Sequence, residues 1–183
     1  MQRAILYLLL AFAVVGCKKG YNEYEAENIN SQHVNSQSKQ EREKEAVLGV
    51  NKVISEKESQ QIKKYIERRK WQTTVTGGVF VNLTKRGEGK AITDGAIVKL
   101  EYTLGLITGE KLYDSSKDGA KIIRFGKSDT EPAGLLHTLL TMRMGDEANL
   151  IIPSYLGYGL YGDGNKISGH ATLVYSVRIV DVK

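Results

Sequence analysis

Four tyrosines and one carboxylate hold most of the chemical potential in the C-terminal part of this 183-residue chain: Tyr102, the pair Tyr113-Asp114, Tyr158 and Tyr175. A phenol is a large apolar ring with a hydroxyl at its tip. A cluster of them can be plain sheet core, or the wall of a dry cup for a small apolar ring with hydroxyls and a carboxylate at its rim. Other chemistries are poorly provided for. Gly157-Tyr158-Gly159-Leu160-Tyr161-Gly162 has the letters of a dinucleotide-binding turn, but Gly164 and Gly169 leave no room for the helix that must follow. Gly126-Lys127-Ser128 has the ending of a phosphate-binding loop whose first glycine would fall on Lys121. The Ser115-Ser116 pair lacks a nucleophile elbow, while His137 reads as a helix residue near solvent and His170 as a loop residue. No cofactor or metal is expected.

Charge narrows the partners. Of the Lys and Arg residues, 12 fall in residues 18–70 against 9 Glu, whereas residues 71–183 hold 13 against 12 Asp and Glu. Binding a phosphate backbone needs a concentrated basic face, so the nearly neutral second part argues against nucleic acid. A single cysteine, Cys17, excludes an internal disulfide framework and a zinc site of several thiolates.

The start of the chain has the parts of an export signal: Arg3, an apolar run from Ala4 to Val15, then Gly16. That run is shorter than the roughly 20 apolar residues a membrane-spanning helix needs, so residues 1–16 read as a cleaved signal. Val14-Val15-Gly16-Cys17 resembles the bacterial lipobox, which predicts acylation of Cys17 and attachment to a lipid bilayer. Two or more acyl chains hold a protein stably where one holds it reversibly.

The elements that must position the tyrosines follow from texture. Residues 17–38 are rich in Asn, Gln, Ser and Glu and read as a flexible tether. Residues 39–70 turn helical, with Val47, Val50 and Ile54, then Ile62, Tyr65 and Ile66, at spacings of three and four. Gly49 and a capping box of Ser55 and Glu58 suggest two short helices. Their narrow stripe can pack on the domain or on another copy of the chain; without a strong heptad, packing in cis is favoured over dimerisation.

From residue 71 the texture is that of a turn-rich sheet domain, with 16 of the 19 glycines between Gly77 and Gly169. Strands are expected at Gly78 to Leu83, Ile97 to Leu104, Leu112-Tyr113, Ile122 to Phe125, Glu147 to Ile152 and Ala171 to Val182. In two of them, Val98, Leu100, Tyr102 and Leu104, and likewise Leu173, Tyr175, Val177 and Ile179, share one face. Pro132 to Met142 is the one helix, with Leu135, Leu136, Leu139 and Met142 as its stripe and Gly145 beyond its end. Antiparallel strands around one short helix make an α+β fold.

Taken together, Tyr102-Thr103, Gly109, Tyr113-Asp114-Ser115-Ser116, Met142 with Gly145, Ile152 to Gly159, and Ala171 to Tyr175 resemble the FKBP-type peptidyl-prolyl isomerases, over roughly Ile92 to Lys183. The resemblance implies an FKBP-like antiparallel sheet wrapped around one short α-helix, preceded by the N-terminal helical segment. It also implies rotamase activity on X-Pro bonds of unfolded or Pro-containing exported polypeptides, and affinity for macrolide inhibitors. The tether and Tyr65-Ile66-Glu67-Arg68-Arg69 resemble lipoprotein members of the family in Bacteroidetes, some associated with gliding motility. An outer-membrane lipoprotein facing the periplasm is expected, since the residues after Cys17 do not resemble the acidic signal for surface export.

By the same resemblance, Tyr102, Tyr113 and Tyr175 are pocket walls, Asp114 is the pocket carboxylate and Tyr158 hydrogen-bonds a bound carbonyl. Phe125 lies near the floor and Ile167 on the loop before the last strand. One extra residue near Leu112 implies a small bulge. Two departures stand out. Glu131-Pro132 replaces the family's usual Val-Ile, whose second amide binds ligand, and proline has no N–H. Leu135 replaces the frequent tryptophan of the pocket base, making the cup shallower or softer. Both favour, as the alternative, a noncatalytic chaperone that holds Pro-containing segments in the same pocket.

Overall fold

The structure, a computed structural model, describes residues 23–127 and 130–183. The expected signal segment, Cys17, the first tether residues and Ser128 lie outside it. The chain divides into two compact units between Val50 and Asn51.

Helix α1 runs continuously over Glu23–Arg69. It begins inside the stretch read as tether, and the expected break at Gly49 is absent. Glu, Gln, Lys and Ala enter helices at little cost, and one interior glycine costs only about 1 kcal/mol relative to alanine. The side chains of residues 41–49 are exposed. From Asn51 onward α1 belongs to the second unit, where Ile62 and Tyr65 are buried with Ile151, flanked by Ile66, Trp71, Phe80, Ile107 and Val174. This part of the stripe therefore packs in cis. The Tyr65 and Trp71 rings meet edge to face at 5.4 Å, and the Arg69 guanidinium lies 4.9 Å from the Tyr65 ring. No capping box forms, because no helix starts at Ser55.

The second unit continues with strands β1 (Thr74–Thr76), β2 (Val79–Lys85), β3 (Ile97–Leu106) and β4 (Lys111–Asp114). A one-turn helix α2 (Ser115–Asp118), strand β5 (Lys121–Arg124), helix α3 (Ala133–Leu139), strand β6 (Glu147–Ile152), a 3-10 turn at Ser154–Leu156 and strand β7 (Leu173–Val182) complete it. The strands form one antiparallel sheet in the order β1-β2-β6-β7-β3-β4, with β5 also on β3. β3 and β7 are its axis, paired from Val98↔Val182 to Leu106↔Leu173. Their alternate residues bury as the period-two pattern requires, on the face that packs against Leu135, Leu139 and Met142. The opposite face receives α1 through Ile151 and Val174.

The bulge implied near Leu112 is present: Leu104 pairs with Tyr113 and Gly105 with Lys111, so Leu112 is the extra residue. Helix α3 is shorter than expected. Its last turn tightens to bonds three residues apart, Thr141 N to Thr138 O and Met142 N to Leu139 O. Pro132 occupies its N-cap, with no side chain to cap it.

The long loop between β6 and β7 crosses itself closely. A Cβ on Gly162 would lie 1.9 Å from the Ile167 carbonyl oxygen, and one on Gly169 would lie 1.9 Å from that of Leu160. Gly162 also has φ +74. Gly162, the last glycine of the run that imitates a dinucleotide motif, thus serves the turn geometry of this loop. Gly162→Ala should therefore lower stability by roughly 1–3 kcal/mol. Gly49→Ala, whose Cβ would meet nothing within 4 Å, should instead raise helix content slightly. Thermal unfolding followed by circular dichroism separates the two.

Candidate active site

Tyr102, Tyr113 and Tyr158 come from β3, β4 and the β6–β7 loop and converge on one open pocket of about 480 Å³. Leu104, Lys121, Thr130, Glu131, Gly162 and Asp163 complete its lining. That volume lies within the usual range for small-ligand sites. The walls are more polar than an aromatic cup. Lys121 Nζ donates to both carboxylate oxygens of Glu131 at 2.9 Å and lies 5.0 Å from the centre of the Tyr102 ring. An ion pair and a cation–π contact therefore share one rim.

Asp163 sits beside Tyr113 and accepts from its hydroxyl. Its Oδ1 also accepts from the amides of Ile167, at 2.8 Å, and Asn165, at 2.9 Å. Burial opposes ionisation of Asp163, but these three donors outweigh it and hold the carboxyl below its ordinary range. The same contact raises the Tyr113 phenol, since the carboxylate favours the protonated partner, and partial burial adds to it. Lys166 Nζ covers the Tyr113 ring at 4.8 Å from its centre. Neither Asp163 nor the Lys121–Glu131 pair was marked as a site by the sequence pattern; an aspartate between Gly162 and Gly164 signals only a turn.

The other expected residues lie around or beneath the pocket. Tyr175 is fully buried, 6.2 Å from Tyr102 ring to ring, and its hydroxyl has no hydrogen-bond partner of good geometry among the described residues. Burial, and then the nearby Tyr158 phenol, push its pKa well above the ordinary value. Phe125, Leu135 and Ile167 are buried in the core that supports the pocket and do not line it, and Pro132 is buried at the start of α3. Asp114 points elsewhere. Its Oδ1 accepts from Ser116 N at 2.9 Å, capping α2, and its other oxygen pairs with Lys111. Lys111, then the Ser116 amide, hold its carboxyl well below the usual range. Tyr102 N donates to Ser115 Oγ at 2.9 Å, so α2 braces the strand that carries Tyr102.

The comparisons with known proteins agree with this architecture. Residues 88–180, half of the chain, match the family described as FKBP-type peptidyl-prolyl cis-trans isomerase. The chain belongs to that family. It is 38% identical over 109 residues to a probable FKBP-type isomerase FkpA of Neisseria meningitidis serogroup B, covering 60% of this chain and 39% of that one. An FK506-binding protein of the same organism is 33% identical over 108 residues, covering 58% of this chain and 97% of its own length. The chain spans less than half the length of the FkpA relatives it matches. Among solved structures, FkpA of Escherichia coli aligns with TM-score 0.59 at 22% identity, over 90% of this chain and 74% of that one. The N-terminal domain of FKBP42 from Arabidopsis thaliana aligns with TM-score 0.56 at 22% identity, over 61% and 92%. These two likenesses show the fold.

Burial, then the charge of Glu131, raise the Tyr158 phenol to about 12, so it remains a hydrogen-bond donor throughout the neutral range. Its folded value lies above its free value of 10.0. The stability it contributes is thus present below pH 10 and lost as pH rises toward about 12. An alkaline titration of phenolate absorbance should show a late component near pH 12 that Tyr158→Phe removes; loss of an earlier component instead would contradict this environment. Asp163 has the opposite sign: its contribution is present above the ordinary carboxylate range and lost as pH falls through its lowered value.

Proposed function

We propose that this chain catalyses cis-trans isomerisation of X-Pro bonds in exported polypeptides, as a lipid-anchored protein of the cell envelope. The observation that carries the catalytic reading is the convergence of three phenols, Tyr102, Tyr113 and Tyr158, on one open pocket within the family's span. Lys121 narrows that pocket without filling it.

The chemistry asks little of such a site. Rotation about the prolyl amide faces a barrier of about 18–20 kcal/mol because it breaks resonance, and unaided it takes tens to hundreds of seconds. The twisted amide has lost charge separation, so water serves it less well than it serves the planar form. A partly dry pocket that holds the prolyl ring against Tyr102 and Leu104 lowers the barrier without any covalent step. The protonated Tyr158 hydroxyl fixes the substrate chain by donating to a carbonyl. Because the Asp114 carboxylate is bound to Lys111 and to the turn it caps, its contribution runs through the placement of α2 and Tyr102.

A second reading, a noncatalytic holder of Pro-containing segments, is favoured by one observation: Pro132 offers no amide where the family's ligand-binding N–H is expected. Macrolides of the FK506 type should bind weakly for the same reason. Attachment through acylated Cys17, a periplasmic outer-membrane location and a gliding-motility association rest on the Val14 to Cys17 motif and on the Tyr65 to Arg69 segment.

Refolding of a substrate limited by proline isomerisation should accelerate when residues 18–183 are added. Tyr158→Phe should lower kcat/KM about tenfold, the worth of one hydrogen bond in a partly dry site. Suppressed aggregation without acceleration would select the second reading. In cells, labelled palmitate should enter the chain and fail to enter Cys17→Ser.

A further inference from the structure

Glu58 lies outside the matched family span of residues 88–180 and outside every motif that carries the resemblance. Yet three hydrogen bonds end on its carboxylate. Oε1 accepts from Ser154 N at 2.6 Å and from Thr172 Oγ1 at 2.6 Å, and Oε2 accepts from Ser154 Oγ at 3.1 Å. Ser154 and Thr172 are both buried, at 6% exposure each, so this one acid satisfies polar groups that would otherwise be stranded in the interior.

The partners are the two segments that lead to the pocket. The Ser154 carbonyl accepts from the amides of Gly157 and Gly159, both at 3.1 Å, which are the residues on either side of Tyr158. Thr172 immediately precedes β7, whose third residue is Tyr175. A charge-assisted bond to the Ser154 amide is stronger than a neutral one, and the hydrogen bonds in this chain reinforce one another. Docking of α1 does not require any of this, since Ile62, Tyr65 and their neighbours already cover the sheet face one turn and more further along.

We infer that Glu58 is a positioning residue of the active site: from α1 it sets, through Ser154 and Thr172, where the phenols of Tyr158 and Tyr175 stand. The assignment of catalytic consequence rests on the isomerase reading; the positional assignment does not. Glu58→Gln keeps an acceptor oxygen for the Ser154 amide, while Glu58→Ala removes every bond.

The test uses the full chain with ring-labelled tyrosine, its rings assigned by single Tyr→Phe variants. In Glu58→Ala the Tyr158 and Tyr175 ring resonances should shift and broaden while Tyr113, held by Asp163, stays in place; Glu58→Gln should restore them. Thr172→Val, a near-isosteric change that removes only the hydroxyl, should move Tyr175 more than Tyr158 and covers the case in which Glu58→Ala does not fold. In the isomerisation assay, Glu58→Ala should raise KM and lower kcat/KM about five- to tenfold, with Glu58→Gln within twofold of the parent. In a Tyr158→Phe background most of that loss should vanish. Unmoved Tyr158 and Tyr175 resonances in Glu58→Ala, or fully additive losses in the double variant, would overturn the inference. A parent chain that accelerates no prolyl rotation overturns the isomerase reading instead, and the resonances still decide the role of Glu58.

Discussion

The antiparallel pairing of β3 with β7 is the constraint on which the site depends. It sets Leu104 opposite Tyr175 and Tyr102 opposite Val177, so two of the aromatic residues stand near each other on the face of the sheet that packs against α3. A one-residue slip would turn both rings to the other face, against α1. α3 closes that face with Leu135 and Leu139, while β4 and the β6–β7 loop bring Tyr113 and Tyr158 to the edge that α3 leaves open. The pocket lies where β3, β4 and the loop between β6 and β7 come together beyond the residues that α3 covers.

Much of this framework was legible in the chain itself, because it rests on local periodicity. The alternation in Ile97–Leu106 and Leu173–Val182 could be read without coordinates, and the extra residue near Leu112 followed from the family's spacing; each has its structural counterpart. What could not be read depends on partners distant in sequence. Glu58 looked like a helix cap because Ser55 stands three residues before it; its real partners are 96 and 114 residues away. The single helix through Gly49 was missed for a related reason, since one unfavourable residue is easily outvoted by its neighbours.

Of the aromatic residues expected at the site, Tyr102, Tyr113 and Tyr158 line the pocket while Tyr175 and Phe125 are buried beneath it, and the carboxylate in the lining is not the one expected. Tyr102, Tyr113 and Tyr158 meet as the family resemblance implies. Asp114 holds the expected place in the chain but spends its carboxylate on Lys111 and the Ser116 amide, while Asp163, arriving from the opposite loop, provides the acid beside Tyr113. Which of two carboxylates faces a cavity depends on side-chain rotamers and on nearby cations, and neither leaves a trace in residue spacing. Here Lys111, three positions before Asp114, is the cation that pairs with it, and Asp114 is not part of the pocket lining.

The Lys121–Glu131 pair bears on how the pocket responds to its surroundings. Both charges belong to the protein and lie within hydrogen-bond distance, so from outside the rim presents a dipole and not an ion. A neutral peptide entering beside it displaces hydration from a compensated pair and leaves no lone charge buried. The pair thus removes one source of sensitivity to added electrolyte, while the Asp163 carboxylate across the pocket, held by neutral donors alone, keeps another.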